Sequence, residues 1–427
     1  MIELKYGKQI LELDPADLPV PAEILDREEP RPASDGAAVV EEALAHPTGS
    51  RRLGELVSSS DRVVIVVPDL TRAARCDVVL PVLVSKLNAA GVSDSSITIL
   101  FALGTHAPNS KAEKQQIVGR QIASRIRMVD HDAQDPQQNV VLGRTSRGTE
   151  VAVNRLVMES DKVVVTGTIG YHLFAGFGGG RKSIFPGVAG AEGILTNHML
   201  PLTTVDRGCH PAVGPGRLDG NPVHLDMVEA ADMVEPCFLV NTIVNAKKEP
   251  VKVFAGDLHA AFEEGCRFFD EHYCIPTDHK ADLVIASCGG YPKDINFIQA
   301  HKTIDYAMRA LREGGVMLVL GACARGLGND TFLDWFQYDT EEEFVEGLKA
   351  TYLKGGKNAQ TAYLLYSKTR RATIALLSQL PAAAVQRMGM TPVNRIEEAL
   401  AIARKQLGEE FSTYVIPNGG YFRVEVE

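Results

Sequence analysis

The chain has 427 residues, 45% hydrophobic and 23% charged, the profile of a folded globular protein of two to three domains. Its 54 acidic and 44 basic side chains leave a net charge of -10. That argues against nucleic acid or an anionic membrane as the main partner, since both demand a basic surface, but not against a small anionic substrate, because a few local cations override the global sign.

The N-terminus, MIELKYGKQILELD, alternates apolar and polar residues, reads as an edge strand and lacks the apolar core of a signal peptide. A Pro-rich stretch follows, then a helix around Ala37 to Leu44. Val63 to Val67 is a short, β-branched, apolar run, the mark of a strand buried on both faces. It opens into PDLTRAAR and a helix from Val79 to Ala90, ended by Gly91. Ile97 to Leu103 is a second buried strand, leading into GTHAPNS and a helical stretch from Ala112 to Ile122. Lys162 to Ile169 is a third, leading into GYHLFAGFGGGRKSIFPGVAG and a helix beginning near Ala189. Strands alternating with helices indicate parallel βαβ units.

A second set of such units lies beyond a polar, less periodic stretch around Pro276 to Lys280. It comprises a strand at Asp282 to Ser287, a helix from an Asp294 cap to Arg312, a stop at Gly314-Gly315, and a strand at Val316 to Leu320. The last 15 residues read as two short strands around an Asn-Gly-Gly turn. The expected fold is therefore α/β with two domains, residues 1–275 and residues 276–427, the second Rossmann-like. The seven cysteines are scattered and form no CxxC, and no apolar run approaches the roughly 18 residues of a membrane span. A reducing cytoplasm is the expected setting.

In open α/β sheets ligands bind beyond the carboxyl ends of the strands. The three strands of the first domain end in reactive side chains: Asp69 and Arg72, then His106, then His172, with His198 on the following helix. Three histidines there, beside an Asp-x-x-Arg, exceed what turn or core residues require. The segment GFGGGRKS fails both the Walker A and the dinucleotide patterns, each time at Arg181. What remains is a side-chain-poor loop whose backbone amides can cradle a phosphate, with Arg181 and Lys182 neutralising it. In the second domain Gln299 and Lys302 lie three apart, on one helix face, and suit a carboxylate.

Together these pieces resemble the nickel-dependent lactate racemase family. The resemblance rests on Asp69-Leu-Thr-Arg72, ALGTHAP with His106, the long run from His172 to Gly190, Asn197-His198, and Gln299-x-x-Lys302. It implies two α/β domains with the active site between them and a nickel-pincer nucleotide, supplied by cofactor-synthesis enzymes. Carried over residue by residue, Lys182 is the covalent tether and His198 the nickel ligand. His106 and His172 are the acid/base pair. Arg72, Gln299 and Lys302 hold the carboxylate of a small 2-hydroxy acid. Asp69, Thr71, Gly179, Gly180 and Arg181 support the cofactor. The implied reaction inverts C2 by hydride transfer through a 2-keto acid. Trp335, Tyr352 and Tyr363 are candidates for an aromatic pocket wall. Two rival readings stay open: a zinc hydrolase using His106, His172 and His198, and a non-catalytic carrier of a nucleotide cofactor.

Overall fold

The computed structural model describes residues 1–202, 210–352 and 358–426. The chain forms two compact units. One comprises Glu29–Pro201 with Pro211–His272, and the other comprises Met1–Glu28 with residues 273–426. Among the described residues no helix is long and apolar enough to cross a membrane.

The first unit is built on a six-stranded sheet, in the order Pro250–Gly256, Phe238–Val244, Lys162–Thr168, Val63–Pro68, Ile97–Ala102, Arg127–Asp130. Only the Pro250–Gly256 edge is antiparallel to its neighbour. Ile65 lies in register with Ile99 on one side and Val164 on the other. Every residue of Val63–Pro68 is buried, because helices cover one face and the glycine-rich loop with its neighbours covers the other. That is why this stretch reads as an unbroken apolar run rather than an alternating one. The helix Cys76–Ala89 packs Val79, Leu80, Leu83 and Leu87 onto Ile65, Val67, Ile99 and Phe101. The consequence for the site is topological. The three strands with reactive ends are adjacent and parallel, so their carboxyl ends emerge side by side.

The second unit holds a six-stranded, all-parallel sheet, in the order Thr391–Val393, Thr373–Leu377, Leu311–Leu320, Ala281–Ser287, Thr413–Ile416, Glu23–Ile24. Here the structure departs from the sequence reading in three places. The first 28 residues belong to this unit, not to a continuous stretch 1–275. Their hairpin, Ile2–Tyr6 against Gln9–Leu13, buries Ile2, Leu4 and Leu13 in the core around Leu283 and Leu318. Glu23–Ile24 then adds the outer strand.

The helix bearing Gln299 and Lys302 is Phe297–Ala307, capped by Asn296, whose side chain accepts from the Gln299 amide. Asp294 is instead a buried tie, accepting the Gly7 and Ala322 amides at 2.6 and 2.9 Å. Gly314 and Gly315 lie inside the strand Leu311–Leu320. Finally, the two C-terminal strands do not form a hairpin. Thr413–Ile416 enters the large sheet, whereas Arg423–Val426 runs parallel to Cys274–Thr277. Both runs are largely buried, and each takes a parallel partner that the local turn signal does not reveal.

Leu4 is fully buried. Its replacement by Ala is expected to cost about 2–5 kcal/mol. Hydrogen exchange should quicken in Ala281–Ser287 while Val63–Pro68 keeps its protection, which locates the N-terminal hairpin energetically in the second unit.

Candidate active site

Asp69 ends its strand almost fully buried and is satisfied from several sides. Its Oδ1 accepts the Thr71 amide at 3.1 Å and the Thr71 hydroxyl at 2.6 Å, an Asx-type turn that sets the following Arg72. Its Oδ2 meets His106 Nδ1 at 2.5 Å. The partner is a carboxylate, so the imidazole carries its proton on Nδ1 and keeps a lone pair on Nε2. Burial opposes ionisation of Asp69. The hydrogen bonds from His106 and Thr71 and the charges of His106 and Arg72 outweigh it and hold the carboxyl below its ordinary value. The turn that delivers His106 passes through Gly104 at φ +53°, with the Gly104 amide bound to Gly187 O at 2.8 Å. His106 is thereby tied to the far end of the glycine-rich loop.

That loop starts from a short antiparallel pair, Tyr171–His172 with Gly176–Phe177. Within it, His172 Nδ1 accepts two backbone amides, Phe174 at 3.2 Å and Ala175 at 3.1 Å. A nitrogen that accepts twice cannot carry a proton, so neutral His172 holds its proton on Nε2, the opposite tautomer to His106. Burial and the charges of Lys182, Arg72, His198 and Arg181 push the His172 pKa well below its ordinary value and keep the ring neutral.

The glycines have a steric task. A Cβ on Gly180 (φ +54°) would lie 2.7 Å from the Phe262 ring, and one on Gly179 (φ +77°) would lie 2.8 Å from Asn241 Oδ1. Asn241 Oδ1 also accepts the Gly180 amide at 3.3 Å. Arg181 points into the protein and donates to Phe177 O, Gly179 O and Ala175 O at 3.1, 3.3 and 2.6 Å. The cation expected to neutralise a ligand phosphate is thus engaged by the loop's own carbonyls. The Lys182 backbone bonds Gly179 O and the Gly187 amide, and its ammonium nitrogen makes no hydrogen bond or ion pair among the described residues. Burial, Arg72 and Arg181 lower its pKa well below the usual lysine value, which favours a free amine.

His198 lies on the helix Ala191–Met199. Its neighbour Asn197 is buried and donates Nδ2 to Asp226 Oδ2 at 2.9 Å and to Val223 O at 3.2 Å. Asp226 in turn accepts the Thr145 hydroxyl at 2.5 Å. This network pins the helix. Burial, Lys182 and His106 push His198 down to about 3, so its imidazole is neutral and retains the lone pair a metal would require. The mutual influence of Asp69, Arg72, His106, His172, Lys182 and His198 marks them as one electrostatic neighbourhood in the first unit.

Phe262, Asn241, Asp226 and Thr145 were invisible in the sequence. They sit on ordinary strands, helices and loops, and only Asn197 had a local signal through its neighbour. Gln299 and Lys302 lie on the second unit, where Lys302 Nζ donates to Gln299 Oε1 at 2.8 Å. Trp335 and Tyr363 are buried core residues that pack on Phe344 with ring centroids 6.2 and 5.6 Å away. The side chain of Tyr352 lies outside the described residues, as does Cys209. Among the described residues, no group of three or more His, Cys, Asp or Glu side chains is placed to hold a metal ion. The three histidines therefore do not form the closed donor set a zinc hydrolase would need.

Two imidazoles with different Nδ1 partners and a lysine lie on the loops that follow adjacent parallel strands of an α/β protein. Comparison with known proteins gives it a family. Residues 6–208 match the lactate racemase N-terminal domain and residues 277–422 the lactate racemase C-terminal domain. The chain is 30% identical over 425 residues to a lactate racemase of Thermoanaerobacterium thermosaccharolyticum, covering 98% of this chain and 97% of that one. It is 30% identical over 383 residues to a lactate racemase of Lactiplantibacillus plantarum, covering 89% of each. The lactate racemase apoprotein structure from T. thermosaccharolyticum superposes with a TM-score of 0.86 at 28% identity, covering 99% of both chains. A Thermotoga maritima crystal structure shares the fold, with a TM-score of 0.62 at 17% identity over 94% of this chain and all of that one. The chain belongs to the lactate racemase family.

Because the Asp69 carboxyl is depressed in the folded state, the stability it contributes is present above its unfolded pKa. It is lost as pH falls through the folded value. NMR titration of the Asp69 carboxyl should therefore give a midpoint below that of an unfolded aspartate, and His106→Gln should raise it. An unchanged midpoint in the variant would show that the His106 contact is not made in solution.

Proposed function

We propose that the protein is a racemase or epimerase that inverts C2 of a small 2-hydroxy acid, lactate or a relative of it. The observation that carries this reading is a pair of histidines in the first unit with different Nδ1 contacts, His106 Nδ1 on the Asp69 carboxylate and His172 Nδ1 accepting two backbone amides.

The α C–H beside a carboxylate is barely acidic, so its removal as a proton is difficult. Departure of the hydrogen with its electron pair, as the hydroxyl proton leaves, yields a flat 2-keto acid and avoids a carbanion. A nickel-pincer nucleotide, when bound, supplies the hydride acceptor. On this chain Lys182 would tether it and His198 would ligate its nickel, with Asp69, Thr71, Gly179 and Gly180 around it. His106 Nε2 takes the hydroxyl proton, and the resulting imidazolium keeps its Nδ1–H on Asp69, whose charge stabilises it. Inversion returns hydrogen to the other face, which moves the oxygen relative to a fixed acceptor. A second group is therefore needed at the oxygen's other position, and His172 is assigned to it, its Nε2–H donating a hydrogen bond there while the proton taken up by His106 returns to the product oxygen. Arg72 holds the carboxylate and retains the keto acid between the two transfers. Gln299 and Lys302, on the second unit, are assigned to substrate binding. A carrier without catalysis would need Lys182 and His198 but neither the Asp69–His106 pair nor a second imidazole of fixed tautomer.

The test is a chiral assay of lactate, malate, 2-hydroxyglutarate, phenyllactate and a sugar acid, with protein made alongside the cofactor-synthesis enzymes. One member should racemise. His106→Ala and His172→Ala should each lower kcat by about 10²- to 10⁴-fold while leaving the cofactor mass on the protein. Full turnover in either variant would refute its role. Lys182→Ala should lose the covalent mass increment in intact-mass spectrometry. Substrate deuterated at C2 should react more slowly and keep its label at least in part; complete exchange with solvent would favour proton abstraction.

A further inference from the structure

Arg181 is 1% exposed, and no carboxylate among the described residues pairs with it. A buried cation is costly unless its donors are satisfied. Here Nη1 and Nη2 are met by carbonyls of residues 175, 177 and 179, alternate positions of one short stretch, Nε is buried without a hydrogen-bond partner among the described residues, and the guanidinium lies over the Phe262 ring at 4.3 Å. Only a planar fork can reach several carbonyls so spaced, and a lysine ammonium cannot reproduce it. The same stretch carries the amides that fix His172. Ala175 donates its N–H to His172 Nδ1 while its carbonyl accepts from Arg181 Nη2 at 2.6 Å. The turn over residues 172–175 is therefore gripped from both sides, by the imidazole through its amides and by the guanidinium through its carbonyl.

We propose that Arg181 is a positioning residue that acts on the loop rather than on the ligand. It holds the backbone of residues 174–179 so that His172 Nδ1 stays an acceptor and the His172 proton stays on Nε2. The role of His172 in turnover rests on the function proposed above, but the tautomer claim does not.

The experiment compares wild type with Arg181→Lys, which keeps the charge and loses the fork, and with Phe262→Leu, a milder change that removes the ring beneath it. In cofactor-free protein, ¹⁵N NMR of the His172 ring should report the Nε2–H tautomer in wild type and a mixture in Arg181→Lys, with a smaller shift in Phe262→Leu. In loaded protein, kcat should fall about 10- to 100-fold in Arg181→Lys, with KM within about threefold of wild type and the Lys182 mass increment retained. An unchanged tautomer with lowered kcat, or a rise confined to KM, would overturn the proposal, the latter by pointing to direct ligand contact. Should Arg181→Lys not fold, the Phe262→Leu spectrum decides by the same criterion. A wild type that racemises nothing would sink the proposed function and leave the NMR comparison standing.

Discussion

The site in the first unit rests on basic groups gathered at one sheet edge, most of them buried, with little negative charge to balance them. Arg72, Arg181 and Lys182 gather there with three imidazoles, and the carboxylate named among them is Asp69, which His106 already engages. Burial first, and the neighbouring cations second, drive the remaining basic groups toward their neutral forms: His172, His198 and Lys182 all lie below their ordinary pKa values. Neutral imidazoles and a free amine are the forms able to serve as base, ligand and nucleophile. The charge is tolerable because the loop supplies carbonyls to Arg181 and because three parallel strands fix the geometry beneath.

That arrangement depends on sheet order. Lys162–Thr168, Val63–Pro68 and Ile97–Ala102 are neighbours, and parallel pairing brings all three carboxyl ends to one side. The loops then tie themselves together: Gly104 to Gly187, Ser183 to Thr166, Gly180 to Asn241. A glycine-rich segment is often the mobile part of a site. Here the absent side chains permit close backbone packing against Phe262 and Asn241, and the loop is held on both flanks.

Much of this was readable from the chain. The β-branched runs announce buried parallel strands, and their reactive ends announce the crevice, because both signals are local. What failed to read was long-range. The N-terminal hairpin alternates like any edge strand, and nothing in MIELKYGKQILELD says that its apolar face rests on Leu283 and Leu318. Asp294 looks like a cap because it precedes a helix, yet Asn296 caps it, and Asp294 is spent on amides from residues 7 and 322. The terminal Asn-Gly-Gly has the composition of a hairpin, but two buried flanking runs found separate parallel partners. Arg181 is the sharpest case. Next to a lysine in a glycine loop, a guanidinium suggests phosphate, and only coordinates reveal the carbonyls that already occupy it.

The global charge of -10 and the local excess of cations are two parts of one design rather than a contradiction. An acidic surface repels anions at long range, but over a Debye length of about 8 Å at physiological ionic strength only the nearest charges matter. The ligands proposed above, a 2-hydroxy acid and a mononucleotide, are both anions, so either would bring to this edge counter-charge that the chain withholds. Such binding would relax the repulsion that adds to burial in keeping His172, His198 and Lys182 neutral. The backbone amides on His172 Nδ1 oppose protonation there for one ring. The Asp69 carboxylate holds the Nδ1 proton of the other. The difference between the two histidines is therefore built into their hydrogen bonds rather than left to the ambient charge, and it survives the arrival of the ligands that alter that charge.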